Sequence, residues 1–208
     1  MILVSSMRPF GEDPEWDRNQ MLAVRSWMMF AKRIFLFGDM EPTLNNPKIR
    51  FLPSEQWPRI KDMVAFAAMQ KGEVIAICNG DIMLDPKVMK VEQKIRNGGC
   101  RCASSRRWHF DPTKLMSEAL ESATLTNEDG VDDRGRDVFI APWHVWAKIA
   151  PETPEGFRIG LGGWDGFMTD KFREHWNETF LDFTALRIVH HPHHKGRRRP
   201  PELEALIP

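Results

Sequence analysis

Asn79-Gly80-Asp81-Ile82 follows directly on the apolar run from Glu73 to Cys78. A carboxylate on a turn behind a buried strand can hold a divalent cation against a diphosphate. The same Asn-Gly-Asp also makes a tight turn for backbone reasons alone. The stretch Gly160-Leu161-Gly162-Gly163-Trp164-Asp165-Gly166 sets a tryptophan and a carboxylate among glycines. Trp164 offers a platform for a sugar or a base, and Asp165 a base able to deprotonate an acceptor hydroxyl within hydrogen-bond reach. The competing use is structural: an Asp just before a helix is an ordinary N-cap, and a Trp beside it fills core volume.

Three further groups bear charge or metal-ligating atoms. His190, His191, His193 and His194 cluster behind an apolar segment, interrupted by Pro192. Neutral imidazole is a common ligand for a transition metal, so one or two of them suit a metal site, while an exposed polar strand end is the plainer use. Arg106-Arg107-Trp108 offers guanidinium groups for bidentate phosphate contacts or for ion pairs with Asp. The segment Arg187 to Arg199 holds five Lys or Arg and no acid, a local basic patch that suits the phosphates of a nucleotide or of DNA, or simply remains solvated.

The elements that must position these residues alternate along the chain. Ile2 to Ser5 reads as a first strand, and Arg18 to Phe30 places Met21, Val24, Trp27 and Met28 at helical spacing. Arg33–Phe37 and Ile49–Leu52 read as strands, and Pro58 to Gln70 as a helix closed by Gly72. Glu73 to Cys78 has the continuous apolar character of a central strand covered on both faces. A helix from Pro86 to about Arg96 and a strand over Cys100–Ala103 complete a β-α-β-β-α-β-α-β series. Such a series predicts an α/β fold whose largely parallel sheet has helices on both faces, with ligands beyond the carboxyl ends of the strands, where Asp81 falls. From Pro112 the rhythm changes to a helix near Leu115–Leu120, a polar acidic loop from Thr124 to Asp137, and a strand Val138–Pro142. A helix from Phe167 to Trp176 and a strand from Thr184 to Val189 follow.

The whole chain has 208 residues, a size for one domain. Lys plus Arg and Asp plus Glu number 29 each, so no overall field draws in a polyanion. No apolar run approaches the roughly 20 residues of a membrane-spanning helix, and Met1–Ser5 is too short for a signal-peptide core. Three cysteines, Cys78, Cys100 and Cys102, without C-x-x-C spacing suggest neither a disulfide framework nor a cysteine zinc site. The expectation is a cytoplasmic protein with no membrane partner.

Taken in order, these motifs resemble the GT-A glycosyltransferases, in particular a small glycosyltransferase-like family of bacteria and phages. Asn79-Gly80-Asp81-Ile82 resembles that family's Asn-Ala-Asp-Ile metal-binding motif, and Arg106-Arg107-Trp108 its Arg-Trp signature. Gly163-Trp164-Asp165 resembles its Gly-Trp-Asp-Asn, and Val189-His190-His191-Pro192-His193 its closing Val-His-Gln-x-His. Arg18-Asn19-Gln20, Ser26-Trp27 and Leu36-Phe37-Gly38 also follow the family, whereas Gly166 and His191 depart from it. The resemblance implies a Rossmann-like GT-A domain over residues 1–194, with a nucleotide-sugar half to about residue 111, an acceptor half beyond it, and a basic Pro-rich tail over 195–208. It further implies sugar transfer from a nucleoside-diphosphate donor to a hydroxyl acceptor on a saccharide or a hydroxymethylated pyrimidine in DNA. Mn2+ or Mg2+ would bridge Asp81 and the phosphates, with His190 or His193 completing the shell. Asp165 would be the base, and Arg18, Gln20, Asn79, Arg106, Arg107 and Trp164 would line the donor. A non-catalytic α/β protein binding nucleotide or nucleic acid is the reading from a different class. Nucleotidyl transfer ranks third, since no Gly-rich phosphate loop with a following Lys lies near the first strand.

Overall fold

The computed structural model describes residues 1–8, 11, 13–39, 41, 44–55, 57–110, 136–159 and 163–192, with residues 191 and 192 as backbone only. The expected helix near Leu115, most of the acidic loop, Gly160–Gly162, His193, His194 and the basic tail lie outside the described residues. The elements are β1 (Ile2–Ser6), α1 (Pro14–Met28), β2 (Arg33–Gly38), β3 (Ile49–Pro53), α2 (Ile60–Met69), β4 (Val74–Cys78) and β5 (Met83–Leu84). There follow α3 (Met89–Arg96), β6 (Cys102–Ser105), β7 (Trp108–Phe110), β8 (Val138–Pro142), α4 (Trp143–Ile149), α5 (Trp164–Trp176), β9 (Phe180–Asp182) and β10 (Val189–Pro192).

Local chemistry starts α1: the Asp13 carboxylate accepts from the amides of Glu15 and Trp16, and Pro14 opens the helix with its φ already set. Seven strands form the main sheet in the order β3-β2-β1-β4-β8-β6-β9. All neighbours run parallel except β8, which is antiparallel to both β4 and β6. Strand alternation divides the core between the two faces. Leu3, Ala76, Cys78, Val138 and Ile140 meet α1 and α3 through Val24, Trp27, Val91 and Ile95. Ile2, Val4, Ile75, Ile77 and Phe139 meet α2, α4 and α5 through Met63, Val64, Trp146 and Phe172. The uninterrupted apolar run of β4 thus reflects its place mid-sheet, buried at every position.

A second sheet, β5-β10-β7, stands beside the carboxyl end of β4. Here the expected strand Thr184–Val189 is corrected. The Thr184 amide donates to the Asp182 carboxylate, and Leu186 and Arg187 make i→i−3 bonds to Phe183 and Thr184, so the chain turns. Arg187 leaves that turn with a left-handed φ of 51°, and the strand begins at Val189. His190 and His191 therefore lie within a strand, not after one.

Candidate functional site

Strand order reverses around β1, which pairs with β2 on one side and β4 on the other, so a crevice opens beyond their carboxyl ends. The turn after β4 crosses that opening. A Cβ on Gly80 would lie 2.3 Å from the Ser6 carbonyl oxygen, a distance that only glycine avoids. From the other side α1 holds the same turn: Trp27 Nε1 donates to the Ile82 carbonyl at 2.8 Å, and the Leu84 amide donates to Ser26 Oγ at 3.0 Å. Asp81 is thereby fixed between the end of β1 and α1.

Beside β1, Gln20 is buried and uses its side-chain oxygen to accept from the Arg8 amide at 2.7 Å. The Arg8 guanidinium lies 3.6 Å from the Trp16 ring centroid and 4.2 Å from that of Trp57, within cation–π range of both. Gln20 thus holds the main chain just beyond β1 at Arg8. Arg18 is exposed on α1.

The centre of the arrangement is a residue that sequence reasoning passed over. Asp137, one place before β8, is buried, and its Oδ1 accepts from Asn79 Nδ2 and from Arg107 Nη1, each at 2.8 Å. Its amide donates to the Ser105 carbonyl and its carbonyl accepts from the Asn79 amide. Asp137 therefore ties the turn carrying Asp81 to the segment carrying Arg107. In sequence it reads only as the last acid of a polar loop, and the signal available was its position directly before a fully apolar strand.

Arg107 is held from several directions. The Arg106 amide donates to Thr184 Oγ1 and Trp108 Nε1 donates to the Thr184 carbonyl, so the residues on either side of Arg107 are pinned to one turn. Arg107 Nε donates to His109 Nε2 at 3.1 Å. Asp137, Asp81 and Asp165 all favour its charged form, Asp137 most.

Asp165 lies in the first turn of α5, two places after the N-cap, Gly163, whose φ of 98° is left-handed. It is therefore not the N-cap itself. Burial and then the charge of Asp137 push its carboxyl above the ordinary value, against the pull of backbone amides at Gly166, Asp165 and Gly163. Trp164 is 3 % exposed and packs edge-on against Phe139, so in this structure its ring belongs to the core beneath the site and does not present a stacking surface.

His190 is buried, with its ring edge-on to Phe110, and burial lowers its pKa. Alternation along β7 puts Phe110 on the opposite face from His109, and the carboxylate that acts on His190 is Asp85. The structure thus joins Asn79 and Arg107 through Asp137, with Asp81 and Asp165 acting on the same guanidinium and His190 on the other face of the small sheet.

For a divalent cation, Asp81 is a hard oxygen donor held rigidly at the crevice. Among the described residues, the one trio of His, Cys or acidic side chains whose ligand atoms converge is Glu152, Glu174 and His175, remote in sequence from this turn. There Lys171 supplies the positive charge, 2.8 Å from Glu152 and 2.7 Å from Glu174. Mg2+ is commonly held by one or two protein carboxylates, with phosphate oxygens and water as its other ligands, a role that Asp81 would suit.

No family profile matches the sequence, and no curated protein sequence matches it. Solved structures do. TarS residues 1–349 from S. aureus, in complex with UDP-GlcNAc, superposes with a TM-score of 0.60 at 10% identity over 94% of this chain and 59% of that one. GalNAc-T7 with UDP, GalNAc and Mn2+ gives 0.58 at 12% identity, over 96% of this chain and 45% of that one. A structure described as a Bacillus anthracis glucose-1-phosphate thymidylyltransferase gives 0.52 at 10% identity, over 88% and 85%. The fold is the GT-A, Rossmann-like α/β fold, and the chain spans about three fifths of the TarS structure it matches. Among the described residues no helix is long and apolar enough to cross a membrane.

Proposed function

We propose that the chain is a metal-dependent glycosyltransferase that moves a sugar from a nucleoside-diphosphate donor to a hydroxyl acceptor. The observation that carries this reading is that Asp137 hydrogen-bonds both Arg107 and Asn79, beside Asp81 at the carboxyl end of β4 in a GT-A fold, with the Asp165 carboxylate also favouring the charge of Arg107. Two of those carboxylates have separable tasks. Asp81, on the rigid turn, would hold Mn2+ or Mg2+, which when bound stabilises charge on the departing diphosphate. Asp165, its proton affinity raised by burial, is poised to take the proton of the attacking hydroxyl. Arg107 supplies fixed positive charge to the phosphates, and Asn79 keeps the turn in register through Asp137. The acceptor class includes saccharides and a hydroxymethylated pyrimidine in DNA, the latter motivated by the basic run from Arg187 to Arg199.

The test is thermal unfolding with Mn2+, alone and together with UDP, GDP, CMP or dTDP, followed by turnover of the matching nucleotide sugar. A ligand that binds only the folded state raises its apparent stability. A metal-dependent shift with one nucleotide, and loss of donor turnover in Asp81→Ala, is the expected result. Full turnover in Asp81→Ala rejects the assignment of Asp81, and stabilisation by DNA with no response to any nucleotide favours a non-catalytic binding protein.

A further inference from the structure

Arg107 uses two of its three guanidinium nitrogens on the protein itself. Nη1 donates to Asp137 Oδ1 at 2.8 Å and Nε to His109 Nε2 at 3.1 Å. Arginine has five N–H donors in a planar fork, so two fixed corners set the plane and direction of the whole group. The remaining nitrogen, Nη2, has no hydrogen-bond partner among the described residues and is not sealed from solvent, the side chain being 36% exposed. Because Nε always carries its hydrogen, His109 must accept at Nε2, so its neutral ring carries the proton on Nδ1. Behind the fork, Thr184 fixes the main chain at Arg106 and the Trp108 side chain. Behind Asp137, the buried Arg136 is anchored to Asp182 at 2.7 Å.

We infer that Asp137 and His109 are positioning residues that lock the Arg107 fork and leave its Nη2 edge to bind the diphosphate of the ligand. This inference rests on the reading of the crevice as a diphosphate site. It assigns work to two residues of which neither belongs to the motifs singled out in the sequence. A long arginine left free would lose rotamer freedom on binding; one already clamped loses little, and its hydrogen bonds to phosphate form without rearrangement.

The sign of one mutational effect separates positioning from simple electrostatics. Asp137 is an anion close to where a polyanion would bind, so by charge alone Asp137→Ala, which removes the charge and the acceptor together, strengthens anion binding. If Asp137 acts by holding Arg107, the same change weakens it. The probe is inorganic pyrophosphate with Mg2+, its affinity measured by calorimetry for the full chain. Asp137→Ala is expected to weaken binding by about tenfold, the scale of one hydrogen bond to a charged group. Arg107→Ala is expected to weaken it at least as much, and the double variant no further than Arg107→Ala, because both act through one group.

Unchanged or tighter binding in Asp137→Ala, with Arg107→Ala still weakened, overturns the positioning role and leaves the diphosphate site standing. No binding by the wild type, or unchanged binding in Arg107→Ala, overturns the diphosphate reading and this inference with it. If Asp137→Ala does not fold, the half-buried His109 decides. His109→Ala should weaken binding and His109→Gln, which keeps an acceptor for Arg107 Nε, should restore it. Equal affinity in those two variants overturns the inference.

Discussion

Arg136 Nη2 and Asp182 Oδ2 lie 2.7 Å apart, in an ion pair whose two ends differ sharply in burial: the arginine side chain is 0% exposed and the carboxylate 44%. Burial pushes the Asp182 carboxyl up, but hydrogen bonds from Arg136 and Thr184 outweigh it and bring its pKa to about 2. A folded-state pKa below the unfolded value of about 3.9 adds stability above that value. The contribution disappears as pH falls through about 2. Asp182→Asn leaves Arg136 buried without its counter-charge. The expected loss is about 2 kcal/mol at neutral pH, less than for a wholly buried pair because solvent screens the exposed end. Denaturant unfolding at pH 7 measures the loss, and a melting series from pH 5 to about 2 should fall less steeply in the variant than in the wild type.

Asp165 predicts the acid limb of the pH–rate profile. Its carboxyl stands above the ordinary 3.8 through burial and the neighbouring Asp137 charge. A base works only when ionised, so donor turnover should rise with pH through an apparent pKa above that ordinary value. Asp165→Asn should remove that limb and lower kcat by about 10²–10⁴-fold with little change in donor affinity. A wild-type-like kcat in that variant removes Asp165 from the reaction.

Two glycines, both in candidate motifs, should respond oppositely to alanine. At Gly80 a new Cβ meets the Ser6 carbonyl oxygen at 2.3 Å, a backbone atom that cannot step aside cheaply. Gly80→Ala should cost about 1–3 kcal/mol and displace the turn that carries Asp81. At Gly166, inside α5, a Cβ meets nothing within 4 Å and φ is not left-handed. Gly166→Ala should stabilise by about 0.5–1 kcal/mol through helix propensity. Urea unfolding of both variants, with Mn2+-dependent nucleotide binding as a second readout, separates the two cases.

The same contrast shows what was legible in the sequence. The strands β1 to β4 and β8 are apolar runs bounded by turn residues, and local pattern is enough to find them. Their order in the sheet brings Asn79 within hydrogen-bond reach of Asp137, 58 positions away. No local pattern encodes that pairing, so Asp137 is invisible until β8 is placed beside β4. Trp164 shows the opposite limit: beside an acid in a glycine-rich stretch it reads equally as platform or core, and only the packing of α5 on Phe139 decides for core. Thr184 to Val189 misleads for a third reason, because the Asp182 side chain captures the Thr184 amide and turns the chain.

Trp27 links stability to the site. Its ring is fully buried between α1 and the main sheet, and Nε1 donates to the carbonyl of Ile82, next to Asp81. Trp27→Phe retains most of the apolar contact but removes the donor, leaving a buried carbonyl unsatisfied at a cost of about 1–3 kcal/mol. Trp27→Leu loses that donor and aromatic volume together, so it should be the less stable of the two. If the indole only fills space, Trp27→Phe will bind Mn2+ and nucleotide as the wild type does. If it also holds the Asp81 turn, that variant will bind both more weakly at a temperature where it is still fully folded. Its binding should recover when saturating nucleotide and metal are present together, because a ligand that prefers the ordered turn draws the population back toward it. Calorimetric titration well below the melting temperature of the variant distinguishes the two outcomes.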